Sequence, residues 1–173
     1  MRLPASAIAI LMGMAVAAAP PLATQREVKA EIEINAAPEL VWKILTDFPS
    51  YPIWNPYIYP AKGELRTGAQ LELTLHPGDQ NIPFRPVVLS VEPNKELSWG
   101  GRTLTAGVFD RVQTFTIEPL ELKRARLVSR EVFTGVLTPF YGGLVDDTRR
   151  GLEMMTSTLR TRAELFAPPQ KSH

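Results

Sequence analysis

The spacing of apolar residues changes from a strand period to a sustained helical one late in this chain, and that change restricts the folds open to it. Arg26 to Asn35 alternates, with Val28, Ala30, Ile32 and Ile34 on one side and Lys29, Glu31, Glu33 and Asn35 on the other. That is the period of a half-buried strand. Leu71, Leu73 and Leu75 alternate with Glu72, Thr74 and His76 in the same way. Phe84 to Val91, Glu96 to Gly100, Val108 to Glu118 and Arg124 to Thr134 continue the strand series, separated by Pro77-Gly78-Asp79, Pro93-Asn94 and Pro119. From Leu144 to Phe166 the period becomes helical. Leu144, Thr148, Leu152, Met155, Leu159 and Phe166 recur by threes and fours, while Asp146, Arg149, Arg150, Glu153 and Arg160 fill the other side. An Asp146–Arg150 pair at helical spacing is expected there.

Two short helices interrupt the strands early. Ala36-Ala37-Pro38-Glu39 opens the first, with proline tolerated in the first turn and Glu39 near the positive helix end. Asp47 is placed to cap a second that starts near Pro49. The order is therefore strand, two short helices, about six strands and one long helix, an α+β arrangement. A long curved sheet around a single helix cannot pack closely everywhere, so a hollow lined by apolar side chains is expected between them.

Other features narrow the function classes. Bases number 19 and acids 18, so no basic field exists to hold a nucleic acid. The chain has no cysteine, which removes disulfides, thiolate metal sites and cysteine nucleophiles. There is no phosphate-cradling glycine loop, His-Glu-x-x-His or nucleophile elbow. Asp146-Asp147 does not read as a metal pair, because adjacent helical positions diverge by about 100°. His76 is expected to be solvated beside its turn. No metal and no cofactor are expected.

Residues 1–23 read as a secretory signal peptide: Met1-Arg2 at the start, an apolar run from Leu3 to Ala19, then small residues around Val16-Ala17-Ala18. Its removal takes away Arg2 and no acid, leaving bases and acids equal in number. Residues 24–167 then form one domain and residues 168–173 a disordered tail. No later segment is apolar enough to span a bilayer, so a soluble periplasmic or secreted protein is expected. The oligomeric state is not legible.

Several motifs occur in a telling order. Ile34-Asn35-Ala36-Ala37-Pro38-Glu39-Leu40-Val41-Trp42 is followed by Asp47-Phe48-Pro49-Ser50-Tyr51, Trp54-Asn55-Pro56 and Glu96-Leu97-Ser98-Trp99-Gly100-Gly101. Phe115-Thr116-Ile117-Glu118-Pro119 and Glu131-Val132-Phe133-Thr134-Gly135 complete the set. In this combination the chain resembles the START-like superfamily SRPBCC, in its polyketide cyclase/dehydrase-like branch, from about Val28 to Glu164. The resemblance implies a helix-grip fold: a curved antiparallel sheet wrapped around a long C-terminal helix, with two short helices after the first strand. It also implies a cavity for a lipid, polyketide or sterol-like molecule. It does not imply one activity, because fold and chemistry separate readily. Many members of the branch place a histidine where Gln113 stands here, and glutamine cannot shuttle a proton near neutral pH.

Trp54, Trp99 and Met155 are candidates for the cavity wall, against the alternative of ordinary core. Phe109, Gln113 and Phe115 share one strand face with Ile117, so Gln113 would be polar within an apolar set. Phe133 shares a face with Glu131. An inward Glu131 would need Arg111 or Arg102 as a partner, and a solvated edge is the preferred placement. Arg102 and Tyr141 can orient a ligand, and Phe140-Tyr141-Gly142-Gly143 can form a mouth. A binder or carrier of a small hydrophobic molecule leads. The alternatives are a cyclase- or dehydratase-like enzyme in the same cavity, and a filled-core interaction module with an exposed apolar patch.

Overall fold

The computed structural model of the chain describes residues 24–102 and 107–168. The expected signal peptide and almost all of the expected tail lie outside the described residues. Strand β1 (Gln25–Ile34) leads into helix α1 (Pro38–Thr46), then a 3-10 turn (Phe48–Ser50) and the four-residue helix α2 (Tyr51–Trp54). Strands β2 (Ile58–Lys62), β3 (Glu72–Leu75), β4 (Ile82–Phe84), β5 (Val87–Glu92), β6 (Glu96–Arg102), β7 (Asp110–Leu120) and β8 (Arg124–Thr134) follow. A second 3-10 turn (Thr138–Tyr141) then feeds the long helix α3 (Gly142–Phe166).

Seven strands follow the short helices, where about six were expected. The difference arises at Phe84–Val91, expected as one strand. Pro86 cannot donate to a ladder, and the run divides there into β4 and β5. The halves join different antiparallel sheets, β2-β3-β4 and β1-β8-β7-β6-β5. The first strand pairs with the last along its whole length, from Gln25 opposite Thr134 to Ile34 opposite Ala125. The five-stranded sheet therefore closes only when both ends of the domain are present.

Alternation decides what faces what. Arg111, Gln113, Phe115 and Ile117 on β7, and Ala125, Leu127, Ser129, Glu131 and Phe133 on β8, are buried. Helix α3 covers this inner face with Val145, Thr148, Gly151, Leu152, Met155, Thr156, Leu159 and Ala163. The outer face is an ionic lattice in which Glu27 meets Arg130 at 2.7 Å and Glu33 meets Arg126 at 3.0 Å. Exposed pairs of this kind add little stability, but they keep the β1 edge charged and unattractive to other strands.

Three local expectations change. Asp47 makes no cap to a backbone N–H; its carboxylate accepts from the Ser50 hydroxyl at 2.5 Å instead. Arg150 pairs with Asp147, three residues away, rather than with Asp146. His76 is not simply solvated: its ring stacks on Tyr59 with centroids 3.9 Å apart, and Nε2 lies 2.6 Å from the Tyr59 carbonyl. Among the described residues, no helix is long and apolar enough to cross a membrane.

Candidate functional site

The turn after β3, the start of β7 and the start of α3 meet at one end of the inner face. They leave an opening of about 390 Å³ lined by Gln80, Ile82, Phe109, Phe140, Tyr141, Gly143 and Leu144. Phe140 stands at its rim with 81% of its surface exposed. The Tyr141 and Phe109 rings are 4.8 Å apart, and Phe109 stacks on Phe133 at 5.6 Å. Phe109 and Tyr141 line the opening, and Phe133 lies behind Phe109.

Behind Phe133 lies a polar cluster that is out of water. The Arg111 guanidinium sits over the Phe133 ring at 5.2 Å and over the Phe84 ring at 5.0 Å. Gly101 makes room for this, because a Cβ there would lie 2.8 Å from the Phe84 ring. Arg111 donates to the Glu131 carboxylate and, at 2.9 Å, to the Tyr57 hydroxyl. Tyr57 in turn donates to the other Glu131 oxygen at 3.4 Å. Arg111 is 3% exposed and Glu131 1%. The solvated-edge placement of Glu131 is thus overturned. Glu131 stands opposite Gln113 and Val28 in the middle of the sheet, where every second side chain must point inward.

Burial pushes the Glu131 carboxyl above its ordinary range, and Arg111 works against that shift. Burial pulls on the Arg111 guanidinium in the opposite sense, but the charge and hydrogen bonds of Glu131 and Tyr57 leave it raised overall. Burial, reinforced by the negative charge of Glu131, pushes the Tyr57 phenol up to about 12. Tyr57 owes its position to the turn before it. The Asn55 side-chain oxygen accepts from the backbone N–H groups of Tyr57 at 3.0 Å and Ile58 at 2.9 Å, fixing the chain as it enters β2. On the far side, Gly151 of α3 lets the Tyr57 ring approach closely, since a Cβ would stand 2.3 Å from it.

The structure divides the residues picked out from sequence. Phe109 and Tyr141 line the opening, and Phe133 backs it. Trp54, Trp99, Phe115 and Met155 are buried in the core, Trp99 and Phe115 tilted against each other at 5.3 Å. Gln113 is buried, and its amide donates to the Ser129 hydroxyl at 3.0 Å and the Arg130 carbonyl at 3.2 Å. Arg102 lies instead along a groove of about 590 Å³ on the outer sheet face, beside Val87, Leu89, Asp110 and Val112. Arg111 was legible only as a partner for Glu131, although it shares the Phe109–Ile117 alternation. Tyr57, Phe84 and Thr148 carry no sequence signal that sets them apart from core.

The motif order noted above extends over the whole domain. A family model described as "Polyketide cyclase / dehydrase and lipid transport" matches residues 25–164. The chain belongs to that family. Solved structures agree on the helix-grip, START-like fold. A START superfamily protein from Mycobacterium smegmatis is 23% identical, with a TM-score of 0.63, covering 82% of this chain and 99% of that one. A protein from Chromobacterium violaceum is 20% identical, with a TM-score of 0.60, covering 80% and 96%. The Zhui aromatase/cyclase from a Streptomyces species is 18% identical, with a TM-score of 0.59, covering 82% and 94%. At such identities the likeness establishes the fold. No curated protein sequence matches the chain.

Proposed function

We propose that this protein is an exported binder or carrier of a small hydrophobic molecule, which it takes in at the opening between the β3–β4 turn and the start of α3. One observation carries the proposal: the aromatic rim and lining of that opening, with Phe140 held 81% exposed. A large ring left in water at the mouth of an apolar recess is stabilised when a ligand covers it, by ~25 cal/mol for each Å² removed from water. The family to which the chain belongs supports a hydrophobic ligand. Export is supported by the charged start, apolar run and small residues of positions 1–23. Trp54, Trp99, Phe115 and Met155 are buried in the core. A ligand that reaches past the opening does so by displacing Phe109 and Tyr141.

The experiment is a titration with an environment-sensitive apolar fluorophore, followed by displacement with long-chain alcohols and sterols. Phe140→Ser should weaken binding about tenfold, the equivalent of ~1.4 kcal/mol, without lowering the melting temperature. Saturable binding that ignores this substitution would place the ligand elsewhere, and absence of binding would refute a carrier.

A second proposal, a cyclase- or dehydratase-like enzyme, is favoured by the buried Glu131 carboxyl raised beside Tyr57 and Arg111. Such a pairing suits proton transfer to a substrate held by proximity. Glu131→Gln would then abolish turnover while leaving hydrophobic binding in place.

A further inference from the structure

We propose that the outer face of β5 and β6 is a docking surface for a second copy of this chain, packed face to face about a two-fold axis. The surface lies on the side of the sheet away from α3.

Register fixes what stands there. Val87 pairs with Gly100, Ser90 with Ser98 and Glu92 with Glu96. Gly100 and Ser98 continue across to Val112 and Thr114 of β7. Before Val87 the two segments stay side by side, since a Cβ on Gly101 would lie 3.2 Å from the Pro86 Cα. One residue further, Arg85 comes beside Arg102, and both line the groove of about 590 Å³. The strip therefore has two charged ends and an apolar middle. Arg85 and Arg102 form one end, and Glu92 and Glu96 the other. Val87, Leu89 and Val112 lie between, 39%, 47% and 38% exposed. Gly100 brings no side chain, and Leu89 and Val112 lean over it from either side.

Like charges directly opposite one another on a sheet repel, and here they do so at both ends. Neighbours reduce these charges without cancelling them. Lys95 pairs with Glu92 at 2.7 Å. Asp110 stands opposite Arg102, but its carboxylate accepts from the Gly107 N–H at 2.9 Å. Among the described residues, none of Arg85, Arg102 and Glu96 forms an ion pair. One end keeps a net positive charge and the other a net negative charge.

A strip that runs from positive through apolar to negative is its own complement when reversed, which is what a two-fold contact requires. Glu96 and Arg102 stand at the ends of β6, about 20 Å apart at strand spacing. An axis midway between them lays the arginines of each copy on the glutamates of the other. It also sets the two apolar middles against each other, as in sheet-on-sheet packing. The face is the available contact, because Gly68 and Ala69 already bond the β5 edge at Val88. An anionic membrane or an acidic partner would suit the arginines but meet repulsion at the glutamates.

Sedimentation velocity over a concentration series, with native mass spectrometry, tests this. Wild type should form a dimer that weakens at least about tenfold as salt rises from about 0.05 M to about 0.5 M, because exposed charges are screened. Arg85→Glu/Arg102→Glu and Glu92→Arg/Glu96→Arg should each stay monomeric while keeping the wild-type circular dichroism spectrum. Mixed in equal amounts, the two variants should restore a dimer containing one of each, because every facing pair is again opposite in sign. Wild type that is monomeric at all concentrations would overturn the inference. So would a dimer indifferent to both charge reversals, or folded variants that stay monomeric when mixed.

Discussion

Replacing Arg111 with methionine removes one charge from a pair that has no access to water. Methionine fills much of the same volume between Phe84 and Phe133, so the packing loss is small. The Glu131 carboxylate is left buried without its cation, and breaking a buried pair in this way costs about 3–5 kcal/mol. For a domain of this size each kcal/mol lowers the melting temperature by about 2–4 °C, so a fall of roughly 6–20 °C is expected. The loss should depend on pH in a definite sense. With Arg111 gone only burial acts strongly on Glu131, and its folded pKa then lies well above the ordinary value of 4.5. Below that ordinary value the carboxyl is neutral in both states and the stability is retained. As pH rises through the raised folded value, the unfolded state ionises more readily and stability falls. The deficit of Arg111→Met should therefore be larger at pH 8 than at pH 5. Urea unfolding followed by tryptophan fluorescence and circular dichroism at the two pH values measures it. The double variant Arg111→Met/Glu131→Leu removes both charges and should recover most of the loss. A double variant no more stable than Arg111→Met, or a deficit indifferent to pH, would refute this account of the cluster.

Two other outcomes follow from the same region. The Tyr57 phenol, raised from 10 to about 12 by burial first and the Glu131 charge second, keeps its stabilising protonated form below pH 10 and loses it as pH climbs through about 12. Tyr57→Phe should therefore flatten the alkaline limb of the stability–pH curve, measured by thermal melts between pH 9 and 12. Gly151→Ala should destabilise by about 1–3 kcal/mol through overpacking against the Tyr57 ring, despite the better helix propensity of alanine. Gly143→Ala, where nothing stands within 4 Å of the added carbon, should be neutral or stabilising in the same denaturant series.

The fold was legible wherever burial imposed a period. The alternation of Val28, Ala30 and Ile34 and the three-four spacing of Leu152, Met155 and Leu159 reflect one sheet face and one helix stripe, and both survive in the structure. The division of Phe84–Val91 between two sheets was not legible, because apolar character continues through the break and only Pro86 marks it. The candidate site shows the same contrast. Phe109, Phe133 and Tyr141 emerge from alternation and from the glycine-rich entry to α3. Glu131 was placed at an edge because a lone acid in a strand is usually solvated, and its true setting depends on pairing with Arg111 across two strands. Tyr57 and Thr148 were invisible, since their roles arise from the approach of the segment after α2 to the middle of α3 rather than from any local pattern. Gln113 was read as polar among apolar neighbours; in the structure it is buried opposite Glu131, with its amide engaged by Ser129.

Occupation by a hydrophobic molecule is the central claim. Native mass spectrometry of the protein recovered from its native cell, with solvent extraction of anything bound, tests it most directly. The account predicts a stoichiometric, largely apolar mass that Phe140→Ser diminishes. A clean unliganded mass, with no ligand acquired on incubation with lipid, polyketide or sterol mixtures, would contradict it.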